Sequence, residues 1–450
     1  MKMSYAAQAV NLLGSLLLLI IILAKLDQAR YLQWIIFSTI GGFAVQVENA
    51  LSVVAARQLS RQHHTGHRDA LVATIAALKR VYHRFGWMVF VALALVGGGY
   101  LAASDDGTFS RAWPYEWAIL CVAYLVTFFP AHNCCQMIAL GYPSRYATII
   151  FVTRVLNVAT SVAFLMLGLA VLGLAGSFLI SAAVCAAWFS LWAKAAVSES
   201  VAAMPPPLAA PEPTRIKLGQ AAHQGLFIFA TYALYRVGLL LEVARSGDVA
   251  TQASYGLALQ ILLFVTTIAV VPLNMRVGPL VRAVMAGEPD AIAAELGTLG
   301  AYVNLVFVLG AAALIVVAPP MLELLPARGA KLPHPAELAL LAAAFWIEAN
   351  ILLLVNVLVA RQAFGFAFVY AAACALAWGG GGALAIAGAP FYLALVLWPM
   401  AVQLCLTLPL IARLVTRTTG VSLPAIATAT ASRAARIVRH PIKVGLTFGG

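Results

Sequence analysis

Long apolar runs without a single charge dominate this chain, and they predict membrane-spanning helices. Residues 362–412 form a run of 51 and residues 155–193 a run of 39, and neither contains Asp, Glu, Lys or Arg. A bilayer core about 30 Å thick needs about 20 apolar residues per helix, so each run is long enough for two spans. The runs do not alternate polar and apolar positions as barrel strands do. Helices are therefore the structure that pairs every backbone group in lipid.

The same pattern along the whole sequence predicts twelve transmembrane helices in an all-α integral membrane protein. With 63% hydrophobic residues and a mean hydropathy of +0.94, the chain has more apolar surface than a soluble fold can bury. The first span has no small-residue cleavage site, so we interpret it as retained rather than as a signal peptide. The predicted spans are 6–24, 32–56, 84–103, 115–140, 146–169, 172–193, 218–243, 250–275, 297–322, 335–360, 365–387 and 391–412.

The placement of Lys and Arg predicts the orientation of these spans. With a cytoplasmic N-terminus, 20 of the 28 basic residues fall at the two termini and in the even-numbered loops, and six fall in the odd-numbered loops. Cytoplasmic loops are enriched in Lys and Arg, so we expect both termini in the cytoplasm. The net charge of +12 then reflects topology and contact with anionic lipid headgroups rather than nucleic-acid binding. All six cysteines lie within spans, which predicts neither disulfides nor a zinc site.

A proline-rich segment divides the spans into two sets of six. Residues 197–217 contain five prolines, which predicts a stiff extended linker. A pattern of Arg, Gly, Asp, Ala and an aliphatic residue recurs in 61–71 and 282–292. We therefore expect two six-helix lobes related by a pseudo-twofold axis along the membrane normal, an arrangement typical of transporters. The expected ranges are 1–197 for the N-lobe, 198–217 for a cytoplasmic linker, 218–416 for the C-lobe and 417–450 for a basic cytoplasmic tail.

Two arginines inside spans are candidate substrate-binding residues, because charges within a membrane are costly and normally face a wet interior. Arg154 shares a helix face with Asn157 in the fifth span, and Arg236 lies one turn after Tyr232 in the seventh. Such an Arg either forms an ion pair with a carboxylate that holds two helices together or binds an anionic group of the substrate. The geometry of the guanidinium is well suited to phosphate. Since the two spans belong to different halves, a shared cavity would take one Arg from each wall.

Carboxylates and a histidine inside spans are candidates for ion coupling. Glu48, followed by Asn49, lies in a stripe of small and polar residues that fits either a close helix contact or a cavity wall. Both residues are candidates for substrate binding as well. Glu348 lies midway along the tenth span. His132, beside the helix-breaking Pro130, is either a proton carrier or a hydrogen-bonded core histidine. The sequence contains no GxxxxGK[ST] loop, and we predict no nucleotide, cofactor or metal site.

Several segments resemble bacterial polysaccharide flippases of the Wzx type, in the multidrug/oligosaccharidyl-lipid/polysaccharide (MOP) exporter superfamily. In that family a Gly-containing turn ends the fourth span and a Gly-x-x-Gly joins the fifth and sixth, where this chain has Gly173 and Gly176. The eighth span is similar to the family's Tyr-x-x-Ala-x-Gln-like helix with a Pro before a basic loop, at Tyr255, Ala258, Gln260 and Pro272. The resemblance implies a MATE-like fold with a V-shaped pair of lobes and a cationic lumen.

The resemblance also implies a function, which is transport rather than enzymatic catalysis. The expected protein is a monomeric flippase of the bacterial inner membrane that moves undecaprenyl-pyrophosphate-linked oligosaccharide across it by alternating access, for exopolysaccharide or O-antigen biosynthesis. Its expected partners are this substrate, membrane lipids, and a polysaccharide polymerase with export machinery. The alternative is a MATE-like proton- or sodium-coupled drug/cation antiporter, which Glu48 and Glu348 favour. A membrane glycosyl-polymerase or ligase is disfavoured, because the exterior loops 104–114 and 323–334 are too short for a catalytic region.

Overall fold

A computed structural model describes residues 2–64, 68–105, 107, 109–203, 218–245, 248–275, 277–323, 331–361 and 363–439. Among these residues all regular secondary structure is helical. Within the described part of the chain, eleven helices are long and apolar enough to cross a membrane, and a further shorter apolar helix covers Gly14–Lys25, which overlaps the first predicted span. The prediction of an all-α membrane protein is confirmed, and these eleven helices with the shorter one are consistent with the twelve predicted spans.

The chain forms two compact units. Of the described residues, the first unit contains those within 2–232 and 243–253, and the second contains those within 233–242, 254–323 and 331–439. The first unit contains a π-helical segment, Leu93–Gly97. The helices of this unit are α1 (Lys2–Lys25), α2 (Gln28–His64), α3 (Arg68–Ala92), α4 (Gly98–Ser104), α5 (Trp113–Phe128), α6 (Ala131–Ala139), α7 (Pro143–Met166) and α8 (Ala170–Ala203).

Helices α9 (Leu218–Arg245) and α10 (Val249–Met275) contribute residues to both units. The second unit contains the π-helical segments Leu393–Leu397 and Gln403–Thr407. The other helices of that unit are α11 (Val277–Ala286), α12 (Pro289–Val316), α13 (Ala318–Glu323), α14 (Pro335–Ala360), α15 (Phe366–Ile386), α16 (Trp398–Val402), α17 (Leu408–Thr419) and α18 (Leu423–Arg439).

The division between units differs from the sequence-based one. The helix expected to open the second half, α9, belongs to the first unit except for Ala233–Glu242, which belongs to the second. The linker was expected to begin at residue 198, but α8 continues to Ala203. Helix α8 therefore ends two residues before the first proline, Pro205. Residues 204–217 lie outside the described part, so their extended conformation stays a prediction.

Prolines and glycines set the ends of several helices, as their backbone preferences require. Pro130 separates α5 from α6, which confirms the break expected in the fourth span. Gly141, with a φ of +87°, makes the expected turn after that span. The turn between the fifth and sixth spans is made by Gly168, with a φ of +80°, and the assignment of this junction to Gly173 and Gly176 was wrong. Gly173 lies within α8, where a Cβ atom would come 2.7 Å from the Cβ of Phe164.

The segment expected to be a basic tail begins with helix instead. Helix α17 continues to Thr419, and α18 packs along α12. A Cβ on Gly297 would lie 2.5 Å from the Ala429 Cβ, and one on Gly300 would lie 2.7 Å from the Thr430 Oγ1. The two glycines therefore let α18 approach the backbone of α12, while Arg433 points outward as an exposed residue.

Helix α10 begins at a charged cap outside the membrane-spanning segments. The Asp248 carboxylate accepts backbone N–H groups of Ala250 at 3.1 Å and Thr251 at 3.2 Å. Hydrogen bonds from the Thr251 hydroxyl and backbone hold the pKa of Asp248 below its ordinary value of 3.8. Capping of this kind pairs N–H groups that have no partner within the helix.

Candidate functional site

A cavity of about 350 Å³ lies inside the first unit, and it is the candidate site. This volume is within the range of small-ligand pockets in proteins. Helices α2, α5, α6, α7 and α8 line it, so one face of each contributes. The lining residues are Glu48, Asn49, Ser52, Ala56, Thr127, Pro130, Ala131, Cys134, Cys135, Ile138, Tyr146, Ile150, Ala182, Cys185, Ala186 and Phe189. Glu48 carries the only ionisable carboxyl group in this set.

Glu48 begins a chain of hydrogen bonds that links two further cavity-lining residues, Ser52 and Cys135, through the buried Tyr82. The Ser52 hydroxyl, one turn along α2, donates to Glu48 Oε1. The same hydroxyl lies 2.9 Å from the Tyr82 hydroxyl, and Tyr82 lies 3.4 Å from the Cys135 sulfur. Tyr82 is fully buried and Glu48 is half-buried. The geometry gives one carboxyl group that contacts the cavity and is held in place by a neutral network, an arrangement suited to a proton or a cationic group.

Small residues on α2 make room for two tyrosine rings beside this site. A Cβ on Gly41 would lie 2.1 Å from the Tyr124 ring, and one on Gly42 would lie 1.8 Å from the Tyr232 hydroxyl. Tyr232 donates to the Thr39 carbonyl of α2 at 3.0 Å. The stripe around Glu48 therefore serves both expected purposes, since its glycines make close contacts while Glu48 and Asn49 line the cavity. Tyr232 contacts α2, and its expected role in substrate binding stays a prediction.

Arg154 lies halfway along α7, one turn past the cavity residue Ile150 and two turns past Tyr146. Its Nη2 donates to the Ser15 hydroxyl of α1. Its Nε is buried without a hydrogen-bond partner, and no described carboxylate lies within ion-pairing distance of the guanidinium. The interpretation of Arg154 as one half of a helix-locking salt bridge therefore does not hold within the described part of the chain. Another arginine of α7, Arg145, does form an ion pair, with Glu199 at 3.2 Å.

Glu348 lies in a separate polar network inside the second unit. It is buried on α14, and its Oε2 accepts from the Tyr370 hydroxyl and the Gln403 amide. Gln403 in turn accepts from the Tyr235 hydroxyl at 2.5 Å. Gln403 is the first residue of a π-helical segment, and such segments recur at functional sites. Glu348 Oε1 has no hydrogen-bond partner among the described residues.

Three other predicted site residues lie apart from the cavity lining. Asn157 is buried on α7, and Arg236 is half-buried on α9 in the second unit. His132 is buried on α6 and its Nδ1 lies 2.8 Å from the Phe129 carbonyl, which matches the core-histidine interpretation. A role for His132 in ion coupling stays a prediction, as does a chamber shared by Arg154 and Arg236.

Sequence reasoning missed several residues that the structure brings to these networks. The thiols of Cys134, Cys135 and Cys185 line the cavity, although the sequence shows them only as cysteines in apolar helices. Among the described residues, no group of three His, Cys, Asp or Glu side chains could hold a metal ion. Gln403 had a signal that could have identified it, because it is a polar amide inside the charge-free run 362–412.

Comparison with known proteins identifies the fold. No protein-family model and no curated protein sequence matches this chain. An inward-facing multidrug resistance MATE family transporter of the MOP superfamily is similar, with a TM-score of 0.69 and 9% identity over 92% of this chain and 98% of that one. A MATE protein in complex with MaD5 has a TM-score of 0.61 and 14% identity, over 93% of this chain and 94% of that one.

A third similar structure is a MOP superfamily transporter from Pyrococcus furiosus Vc1, for which reversed polarity of the binding pocket suggests a different function. Its TM-score is 0.57 and its identity is 13%, over 93% of this chain and 94% of that one. Identities this low establish the fold alone. The chain is therefore a multi-pass membrane protein with a MATE-like fold, as expected.

Proposed function

We propose that this protein is a transporter that moves undecaprenyl-pyrophosphate-linked oligosaccharide between the leaflets of the bacterial inner membrane, for exopolysaccharide or O-antigen assembly. The MATE-like fold supports transport by alternating access. The resemblance of the fourth to eighth spans to polysaccharide flippases supports this particular cargo. Both termini would lie in the cytoplasm, and a polymerase and export machinery would act on the product.

The proposal of an anionic cargo depends on one observation, the few partners that the Arg154 guanidinium has. A guanidinium at the middle of a membrane span is costly unless a negative or polar group compensates it. Here Ser15 supplies one neutral oxygen, the buried Nε has no partner, and no described carboxylate pairs with the group. A pyrophosphate offers the oxygens that a guanidinium fork binds best. We therefore assign Arg154 to the pyrophosphate, with Arg236 as its expected counterpart and with Asn157 and Tyr232 as expected polar contacts.

Energy for this movement would come from an ion gradient or from removal of the product outside, because the chain has no nucleotide-binding loop. One charge that crosses 100 mV gains about 2.3 kcal/mol. Glu48 in the cavity and Glu348 in the second unit are the proposed coupling carboxyl groups, with His132 as a further candidate. The sugars would cross in the wet interior while the polyprenyl tail stays in lipid.

The test is inter-leaflet movement of lipid-linked oligosaccharide in reconstituted vesicles. We expect the wild-type protein to accelerate it, Arg154→Gln to reduce the rate at least tenfold, and Arg154→Lys to retain part of it. Arg145→Gln is the matched control on the same helix, because the Arg145 side chain is 38% exposed and already paired with Glu199. An equal rate with and without the protein would contradict the proposal, and an unchanged rate in Arg154→Gln would contradict the role of Arg154.

A second candidate function is proton- or sodium-coupled antiport of cationic drugs. The observation that favours it is the composition of the cavity lining. Glu48 supplies a carboxyl group there, and the lining residues include no basic side chain. Expression should then confer resistance to cationic drugs, and Glu48→Gln should abolish it, while Glu199→Gln, at an exposed glutamate, should not. A strain that gains no resistance would dismiss this function.

A further inference from the structure

The second unit carries a cluster of uncharged polar groups outside both sites described above. Asn304 lies near the middle of α12, and Trp346 and Asn350 lie near the middle of α14, one turn apart. Trp346 is 43% exposed, and both asparagines are half-buried. We call these three residues the Trp346 cluster.

Reciprocal hydrogen bonds fix the geometry of the Trp346 cluster. The Asn304 amide donates to the Asn350 carbonyl oxygen at 3.1 Å, and the Asn350 amide donates back to Asn304 at 3.0 Å. The second N–H of each amide bonds a backbone carbonyl, of Gly300 at 2.8 Å and of Trp346 at 2.9 Å. The Trp346 indole N–H also donates to the Asn304 carbonyl oxygen. The ring is therefore held at its polar edge.

We infer that the exposed side of the cluster faces a water-filled part of the protein, because polar groups lie here near the middle of two spans. Tryptophan that anchors a protein in lipid lies at the membrane interface, but Trp346 lies near the middle of its helix. Polar side chains at that depth normally face other helices or a water-filled cavity. A pair of asparagines alone would join α12 to α14, and this purpose does not require an indole with 43% of its surface exposed. Ala343, one turn before Trp346, is also exposed and leaves space beside the ring.

We propose that the Trp346 cluster is a binding subsite for a neutral sugar ring of the transported molecule, an inference that rests on the function proposed above. One face of a pyranose consists of C–H groups that pack on an aromatic ring, and its hydroxyls bond carboxamides. The indole supplies the flat apolar surface, and the Asn350 carbonyl oxygen retains a lone pair that can accept a hydroxyl. None of the three side chains is charged, so the subsite suits the glycan rather than the pyrophosphate.

The experiment measures binding of two probes to the full chain in nanodiscs: undecaprenyl pyrophosphate alone, and the same lipid carrying a neutral glucose trisaccharide. We expect the trisaccharide to lower the Kd of the wild-type protein about tenfold, which corresponds to about 1.4 kcal/mol. Trp346→Ala should lose this gain and bind the bare lipid as the wild type does, and Trp346→Phe should keep most of the gain. Trp87→Ala is the matched control, because Trp87 is 53% exposed in the first unit, against the ring of Phe129.

The outcomes separate this inference from the function on which it rests. Trisaccharide binding by Trp346→Ala that equals the wild-type value overturns the subsite and leaves the flippase proposal intact. The same holds if Trp346→Ala weakens both lipids equally, or if the wild type binds both lipids with one Kd. A wild-type protein that binds neither lipid overturns the flippase proposal and the subsite together.

Discussion

Replacing Glu348 tests whether the buried network of the second unit holds that unit together. Glu348→Ala removes the oxygen that accepts from both the Tyr370 hydroxyl and the Gln403 amide. Each buried donor that loses its acceptor costs about 1–3 kcal/mol, so the pair costs about 2–6 kcal/mol. Because the entropy of unfolding scales with chain length, 1 kcal/mol moves the midpoint of a 450-residue chain by about 1 °C. We expect a midpoint about 2–6 °C lower than that of the wild type.

The assay is thermal unfolding in detergent, followed by size-exclusion chromatography of the heated protein, with two further variants. Glu348→Gln keeps an acceptor for both donors but places an NH₂ group where Oε1 has no partner among the described residues, at a cost of about 1–3 kcal/mol. Its midpoint should lie between those of the wild type and Glu348→Ala. Glu288→Ala, at an exposed glutamate of the same unit, should leave the midpoint unchanged. Equal midpoints for Glu348→Ala and the wild type, or Glu348→Gln below Glu348→Ala, would refute the reasoning.

Three further predictions concern the packing of α18, the cap of α10 and the cavity. Gly297→Leu should displace α18 from α12 and speed tryptic cleavage at its arginines, because a helix that is no longer packed unfolds locally more easily. Gly379→Leu should not, because a Cβ there meets nothing within 4 Å. Asp248→Ala should destabilise the start of α10 by about 1 kcal/mol at neutral pH. The pKa of Asp248 lies below its ordinary value of 3.8, so the carboxylate stabilises the folded protein above pH 3.8 and this stabilisation is lost as the pH falls further. A difference in unfolding midpoint between wild type and variant that persists at pH 2 would contradict this. A small methanethiosulfonate reagent should label Cys185, in the cavity, faster than the buried Cys374. Mass spectrometry of the labelled peptides measures both rates, and the reverse order would argue against an accessible cavity.

The sequence predicted the spans well because lipid imposes one requirement on every segment that crosses it. A run of about 20 uncharged residues must be helical, so the run 362–412 could be divided without knowledge of its neighbours. Pro130 broke its helix as expected, since proline lacks the N–H that the helix needs. The turn at Gly168 was missed because several glycines lie close together and local preference does not choose among them.

The partners of each polar residue were decided by the tertiary structure. The sequence marks Glu48 and Glu348 equally, as carboxylates within spans, yet one contacts a cavity and the other is enclosed by Tyr370 and Gln403. It also marks Arg154, but it could not show that the guanidinium contacts Ser15, 139 positions away, and no carboxylate among the described residues. Hydrophobicity is a property of each segment, so membrane spans can be predicted from the sequence alone. A hydrogen bond between helices depends on their register and rotation, which only the packing of the whole unit determines.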